Sequence, residues 1–351
     1  MARDAGVQAG WRRFDETGER VGGALFVPET GGNALPLVVA LHGCRQDAED
    51  FAAGTRFADL AVREGFAVLF PDSVRSDAAL RLNRRGCRAG GAAIHRARGA
   101  APGLIVTLLA RARDAEPRIG KARACVTGLS SGAAMATILG AVYPDKVRAV
   151  ASHAGVAYST AEVSSPTLPN WFDGVPDPAA ALAAFSPLNW YNLGCWATQS
   201  VDALEAPKAH DRAEIDDNVD ELGDLREAHP ETDGKRVRVL IVHGAADDTV
   251  DPGHARLLVD QVRAFAAEAY GQDVNADADA EPLVAAPGTG AYPVAEEAYT
   301  LADGTPVVRL VMIERLGHAW SGGAPEGTYT DPDGPDATAL TWAFFRDVPE
   351  S

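Results

Sequence analysis

The sequence predicts an α/β fold: a mostly parallel central sheet covered by helices on both faces. Short apolar, β-branched runs recur along the chain, and patterns of helical period lie between them. A glycine-flanked serine also stands where one of these strands passes into a helix.

Taken in order, VGGALFV (21–27) and LPLVVAL (35–41) read as strands, followed by a helix over 50–64 and the strand FAVLF (66–70). A helix over about 101–115 precedes the strand ARACVTG (122–128), a helix over 131–143 and the strand VRAVAS (147–152). VRVLIVHG (237–244), a helix over 254–270, VVRLVMIE (307–314) and a helix over 336–346 complete the series. No internal repeat and no Ser/Thr- or Pro-rich linker divides the chain. Residues 1–351 therefore read as one domain, with a cap-like insertion at about 157–235.

Composition sets outer limits. With 46% hydrophobic and 23% charged residues over 351 positions, the chain is an ordinary globular one, not collagen-like, coiled-coil or wholly disordered. No stretch approaches ~20 consecutive apolar residues, so no membrane span is expected. The balance of 32 Lys+Arg against 49 Asp+Glu, a net of -17, argues against a nucleic-acid partner. Much of the excess is local. Residues 202–234 hold 12 acids against Lys208, Arg212 and Arg226, a net of -9, and residues 268–282 hold five acids and no base. Both segments read as solvated insertions rather than as the spread acidity of a salt-adapted surface.

The chemistry concentrates at Gly128-Leu129-Ser130-Ser131-Gly132, between the strand ARACV and the helix AAMATILGAVYP. G-x-S-x-G at a strand-to-helix turn is a nucleophile elbow: the glycines permit a strained turn and a close helix approach, and the hydroxyl is presented at the sheet edge. Elsewhere the same pattern could be an ordinary helix N-cap serine.

A nucleophilic serine needs a base, and the base an orienting acid. VRVLIVHG runs into Ala245-Ala246-Asp247-Asp248-Thr249-Val250, and the spacing G-x-x-D-x-x-V selects Asp247 as the acid. Asp248 or Asp251 then remains to cap the helix beginning near Gly253. VVRLVMIE leads to His318 in a short glycine-flanked loop before the last helix, the place for the base. Among the other histidines, His95, His210, His229 and His254 read as solvated, His153 as a pocket residue, and His243 as buried and hydrogen-bonded. The turn Leu41-His42-Gly43-Cys44 follows a strand, and its backbone N–H at Cys44, with that of Ser131, is assigned to an oxyanion hole.

These segments resemble the short-chain poly(3-hydroxybutyrate) depolymerase and feruloyl/acetylxylan esterase branch of the α/β-hydrolases. The motifs that carry the resemblance are LPLVVALHGCRQDAEDFAAGTRFADLA, VTGLSSGAAMATILGAVYPD, VHGAADDTVDP, LGHAWSGG and TDPDGPDAT. They run in family order from about residue 20 to 346, with weak similarity across 157–235. The resemblance implies an α/β-hydrolase fold with Ser130 as nucleophile, Asp247 as acid and His318 as base. It also implies a disulfide between Cys44 and Cys87, and with it an extracellular location, although no apolar leader is visible in the first 20 residues. Cys125 is expected to be a buried thiol, and Cys195 is left open. One departure is the loop Cys87-Arg88-Ala89-Gly90-Gly91, where family members often carry tryptophans.

The implied activity is that of a serine carboxylester hydrolase acting on ester or polyester substrates, with peptidase or acyltransferase chemistry on the same triad as the alternative. A hydrolase fold kept only for binding would normally have lost a triad member, and none is lost. No cofactor loop has Walker or dinucleotide spacing. No metal site is expected either: Asp277-x-Asp279-x-Glu281 lacks the rest of an EF-hand loop, and Asp331-Pro-Asp333-Gly-Pro-Asp336 reads as a turn plus an N-cap. Trp171, Trp190 and Trp196 in the insertion, with Trp320 beside the base, either roof the cleft as substrate contacts or form a satellite core.

Overall fold

The computed structural model describes residues 10–14, 22–29, 31–72, 101–157, 234–283 and 292–348. Its strands are β1 (Trp11–Phe14), β2 (Gly23–Phe26), β3 (Leu37–Leu41), β4 (Ala67–Pro71), β5 (Ala124–Leu129), β6 (Val147–His153), β7 (Arg238–Gly244), β8 (Val274–Ala276), β9 (Val294–Leu301) and β10 (Pro306–Ile313). These form a single sheet in the order β1-β2-β4-β3-β5-β6-β7-β10-β9-β8. From β4 through β3, β5, β6 and β7 to β10 every pairing is parallel; β1, β2, β8 and β9 flank this centre in antiparallel pairings. A two-stranded ribbon of β11 (Trp320–Ser321) and β12 (Thr330–Asp331) lies outside it.

The apolar runs of the centre are buried because both faces are covered. Val38 and Ala40 of β3 join one core with Phe51, Phe57, Leu340 and Phe345, from α1 (Ala48–Thr55), α2 (Phe57–Glu64) and α6 (Ala337–Arg346). Leu37, Val39 and Leu41 of the same strand point the other way. They pack with Leu108 of α3 (Ala101–Ala115) and with Met135 and Leu139 of α4 (Ser131–Val142). α5 (Gly253–Tyr270) covers Val239, Ile241 and Leu310 toward the other end. Each Leu, Val or Phe so buried contributes about 1.5–3 kcal/mol, and no central strand has a polar face to show to water.

Three sequence expectations change. The helix expected over 50–64 is two helices, broken at Arg56, whose backbone is left-handed at φ 56°. The cause is tertiary. The loop after β11 and the start of α6 take the carbonyls at the end of α1: Ala324 N–H donates to the Gly54 carbonyl at 2.8 Å, and Thr338 Oγ1, in the first turn of α6, donates to the Thr55 carbonyl. Secondly, the sequence pattern does not announce β1, β8 and β9, because β1 and β9 are only partly buried and carry no continuous apolar run, and β8 is three residues long. Thirdly, residues 268–282 are not simply a solvated insertion, since they complete α5 and supply β8, which pairs with β9.

Candidate active site

Ser130 follows β5 and precedes α4 with φ 56° and ψ -118°, a conformation that a residue with a side chain rarely adopts. Its neighbours explain how it is held. A Cβ at Gly132 would lie 2.1 Å from the Leu41 carbonyl oxygen, and one at Gly128 would lie 2.4 Å from the Gly132 carbonyl carbon. Only glycines let α4 press this closely on β3. The Ser130 N–H donates to the His153 carbonyl at 2.9 Å. The first bond of α4 runs from Ala134 N–H to the Ser130 carbonyl at 3.0 Å, which leaves Ser131 N–H outside the helix's own ladder.

The turn at 42–44 lies against this elbow: a Cβ at Gly43 would stand 3.5 Å from the Ser130 Cβ. The turn is fixed from within, because Gly43 N–H donates to Gln46 Oε1 at 2.9 Å and His42 Nδ1 lies 2.7 Å from the Gly43 carbonyl. Cys44 is disulfide-bonded. Cys125 is a buried thiol in β5, while Cys87 and Cys195 lie outside the described residues, as do Trp171, Trp190 and Trp196.

The acid and the proposed base come together through their loops. A Cβ at Gly244 would be 2.1 Å from the Leu316 carbonyl oxygen, and Ala246 N–H donates to that carbonyl at 3.1 Å. His318 Nδ1 then lies 2.8 Å from Asp247 Oδ2. The other carboxylate oxygen, Oδ1, accepts the N–H groups of Thr249 and Val250, both at 2.9 Å. Burial alone would raise the Asp247 pKa. Hydrogen bonds from His243 and His318 outweigh it and hold the carboxyl well below the usual carboxylate range. Asp248 is exposed, and neither it nor Asp251 is the N-cap of α5, which is Pro252; Asp251 Oδ1 accepts Gly253 N–H at 2.7 Å from the position before it.

Two expectations are corrected here. Trp320 does not line the cleft. It is 1% exposed, stacks on His153 with ring centroids 4.5 Å apart, meets Phe51 and Phe57 edge-on, and donates through Nε1 to Thr338. His318 lies in a bend before β11, so the alternation that would put residues two apart on one face of a strand does not carry across to Trp320. His254 is not solvated at the start of α5 but buried near Ala157 N–H, and burial lowers its pKa to about 4. His153 is likewise buried and lowered to about 3 by desolvation, so it sits in the structure as a neutral ring.

Sequence reading also missed Tyr329. Its ring lies edge-to-face with the His318 imidazole, centroids 6.4 Å apart, and it remains exposed. Nothing in the pattern Thr328-Tyr329-Thr330 signals this, because the placement depends on bonds to α1.

The sheet order, the glycine-packed elbow and the Asp–His loop pair define an α/β-hydrolase. Its relatives are more particular: residues 21–184 match the family model described as esterase PHB depolymerase. Poly(3-hydroxyalkanoate) depolymerase C of Paucimonas lemoignei is 27% identical over 315 residues, 89% of this chain and 60% of that protein. Feruloyl esterase B of Neurospora crassa is 27% identical, covering 65% of this chain and 64% of its own. The chain thus spans less than two thirds of these relatives. The solved acetyl xylan esterase from Aspergillus awamori superposes with a TM-score of 0.56 at 16% identity, covering 90% of this chain and 94% of that one, which shows the shared fold.

Proposed function

We propose that this chain is a serine carboxylester hydrolase that works through an acyl-enzyme. The observation that carries this reading is the Asp247–His318 hydrogen bond at 2.8 Å, in the same fold as a serine held at φ 56° on an elbow. Ser130 attacks the ester carbonyl while His318 takes its proton; Asp247 fixes the imidazole tautomer and supports its charged form. The backbone N–H groups of Cys44 and Ser131 receive the oxyanion, each such donor contributing ~3 kcal/mol to the transition state. His318 then protonates the leaving alcohol and activates the water that releases the acid.

The substrate class is short-chain polyhydroxyalkanoate or related polyester, supported by the relative from Paucimonas lemoignei that aligns over 89% of this chain. Feruloyl or acetylxylan esters are the second reading, supported by the fungal relatives of those names. Trp171, Trp190 and Trp196 belong to this proposal as substrate contacts. So do a Cys44–Cys87 disulfide and an extracellular location. No described helix is long and apolar enough to cross a membrane.

The test is a panel of hydroxybutyrate oligomers, methyl ferulate, acetylated xylan and p-nitrophenyl acyl esters, assayed with the wild type and Ser130→Ala. Release of free acid that the variant abolishes supports the reading. Release that survives Ser130→Ala, or none on any ester, overturns it.

A further inference from the structure

Among the described residues, Val62 and Tyr329 are the large apolar side chains left exposed. Val62 stands alone on α2, whereas Tyr329 lies against the imidazole of His318. A tyrosine ring half in water beside a catalytic base has a second peculiarity: its backbone is left-handed, with φ 53°. A bulky residue avoids that region unless its surroundings impose it, and such strain concentrates at functional sites.

The surroundings impose it through α1. Thr328 N–H donates to Asp50 Oδ1 at 2.8 Å, and Gln46 Nε2 donates to the Thr328 carbonyl at 2.9 Å and to Asp50 Oδ2 at 3.0 Å. On the other side of Tyr329, its carbonyl accepts Trp320 N–H at 2.7 Å, and Thr330 Oγ1 donates to the Ala324 carbonyl at 2.9 Å. The residue is therefore pinned before and after while its ring is left uncovered. Gln46 is also the residue whose Oε1 accepts Gly43 N–H. One glutamine thus ties the oxyanion turn to the loop that presents the ring.

We propose that Tyr329 is a specificity-determining residue that forms the apolar wall of the cleft on the leaving-alcohol side of the ester. The inference rests on the serine hydrolase reading. In that mechanism His318 must come within hydrogen-bond reach of the leaving oxygen to protonate it. A ring held edge-to-face against that imidazole, and open to solvent, flanks the group attached to that oxygen. The ligand it fits is an ester whose alcohol part is an aryl group or an extended apolar chain, such as the next unit of a polyester. The hydrogen bonds on either side of Tyr329 hold its backbone, so the ring's point of attachment is not reordered on binding.

Two ester series measured on Tyr329→Ala, Tyr329→Phe and Tyr329→Gly separate this role from others. In the first the acyl group is acetyl and the alcohol varies from ethyl to 2-phenylethyl; in the second the alcohol is p-nitrophenol and the acyl chain varies from acetyl to hexanoyl. The preference of the wild type for 2-phenylethyl over ethyl acetate should fall about five- to tenfold in Tyr329→Ala, chiefly through KM, the weight of one aromatic contact. Tyr329→Phe should restore it, and the acyl-chain preference should stay as in the wild type. Tyr329→Gly should lose the alcohol preference while melting no lower than the wild type, because glycine relieves the left-handed backbone. A change confined to the acyl series, an equal loss on every ester, or a lowered melting temperature in Tyr329→Gly overturns the proposal. Absence of all esterase activity in the wild type overturns the hydrolase reading and the wall with it, whereas an active enzyme with an unchanged alcohol preference overturns the wall alone.

Discussion

His243 and His318 converge on one oxygen: Asp247 Oδ2 lies 3.4 Å from His243 Nε2 and 2.8 Å from His318 Nδ1. The carboxylate is engaged on its other oxygen by two backbone N–H groups, so it cannot turn away from either ring. An amide at 247 would have to keep its oxygen toward Thr249 and Val250 and aim its NH2 at His318. That donor meets a nitrogen that must itself be a donor, and the imidazole is driven into the wrong tautomer.

Asp247→Asn is therefore expected to lower kcat by about 10⁴, the cost known for a wrong histidine tautomer in a serine triad. Asp248→Asn, on an exposed side chain, should leave kcat essentially unchanged. Steady-state kinetics on p-nitrophenyl acetate give the ranking, and the reverse order would move the acid by one residue.

Ser130→Ala and His318→Ala should each lower ester hydrolysis by roughly 10⁴- to 10⁶-fold, and the double variant should be little worse than either, because triad members act as a unit. Circular dichroism should show all three folded. Independent, multiplying losses would separate the two residues mechanistically.

Trp320→Ala is expected to act on stability. Removing an indole that is 1% exposed and packed on Phe51, Phe57 and His153 leaves a cavity costing about 3–5 kcal/mol. Denaturant unfolding would report it. A change in KM without a loss of stability would return Trp320 to the cleft.

Acid sensitivity follows from the two buried histidines. His153 and His254 have folded pKa values lowered from 6.5 to about 3 and about 4. The unfolded chain therefore binds more protons below pH 6.5, and stability is lost as pH falls through that range. Each ring should contribute a slope of about 1.4 kcal/mol per pH unit until its folded pKa is reached. His153→Phe should flatten the dependence of melting temperature on pH between 6 and 4, and an unchanged slope would show that His153 is not buried neutral.

The disulfide of Cys44 can be assigned by thiol labelling. Cys87→Ser should release a Cys44 thiol and destabilise the protein by about 2–4 kcal/mol, whereas Cys195→Ser should leave Cys44 protected. The opposite pattern would pair Cys44 with Cys195.

The turn at Ser130 and the meeting of Asp247 with His318 are legible in the sequence because each is announced by a short local pattern: glycines around Ser130, Gly244 before Asp247, and a glycine-flanked turn at His318. The central strands were legible for the same reason, since burial on both faces demands unbroken apolar runs. What escaped depends on distant contacts. The break at Arg56 comes with bonds from Ala324 and from Thr338 of α6 to the end of α1, and the placement of Tyr329 with the bond from Thr328 to Asp50 of the same helix; neither residue type advertises a left-handed backbone. Nearness in sequence to His318 does not put Trp320 in the cleft, because its indole packs into the core on Phe51, Phe57 and His153. β1 and β9 carry no legible pattern because their burial is only partial.

The order of the strands also fixes when the catalytic machinery can exist. Ser130 follows β5 in the middle of the sheet, but His318 comes only after β10, which inserts between β7 and β9. The ribosome must add 188 further residues (318 less 130) after the serine before the base is made, an interval of about 10–40 s at ordinary synthesis rates. Throughout that time the nascent chain carries a serine with no partner to activate it. On the hydrolase reading proposed above, Ser130 and His318 can therefore act together only once the chain beyond β10 has been made.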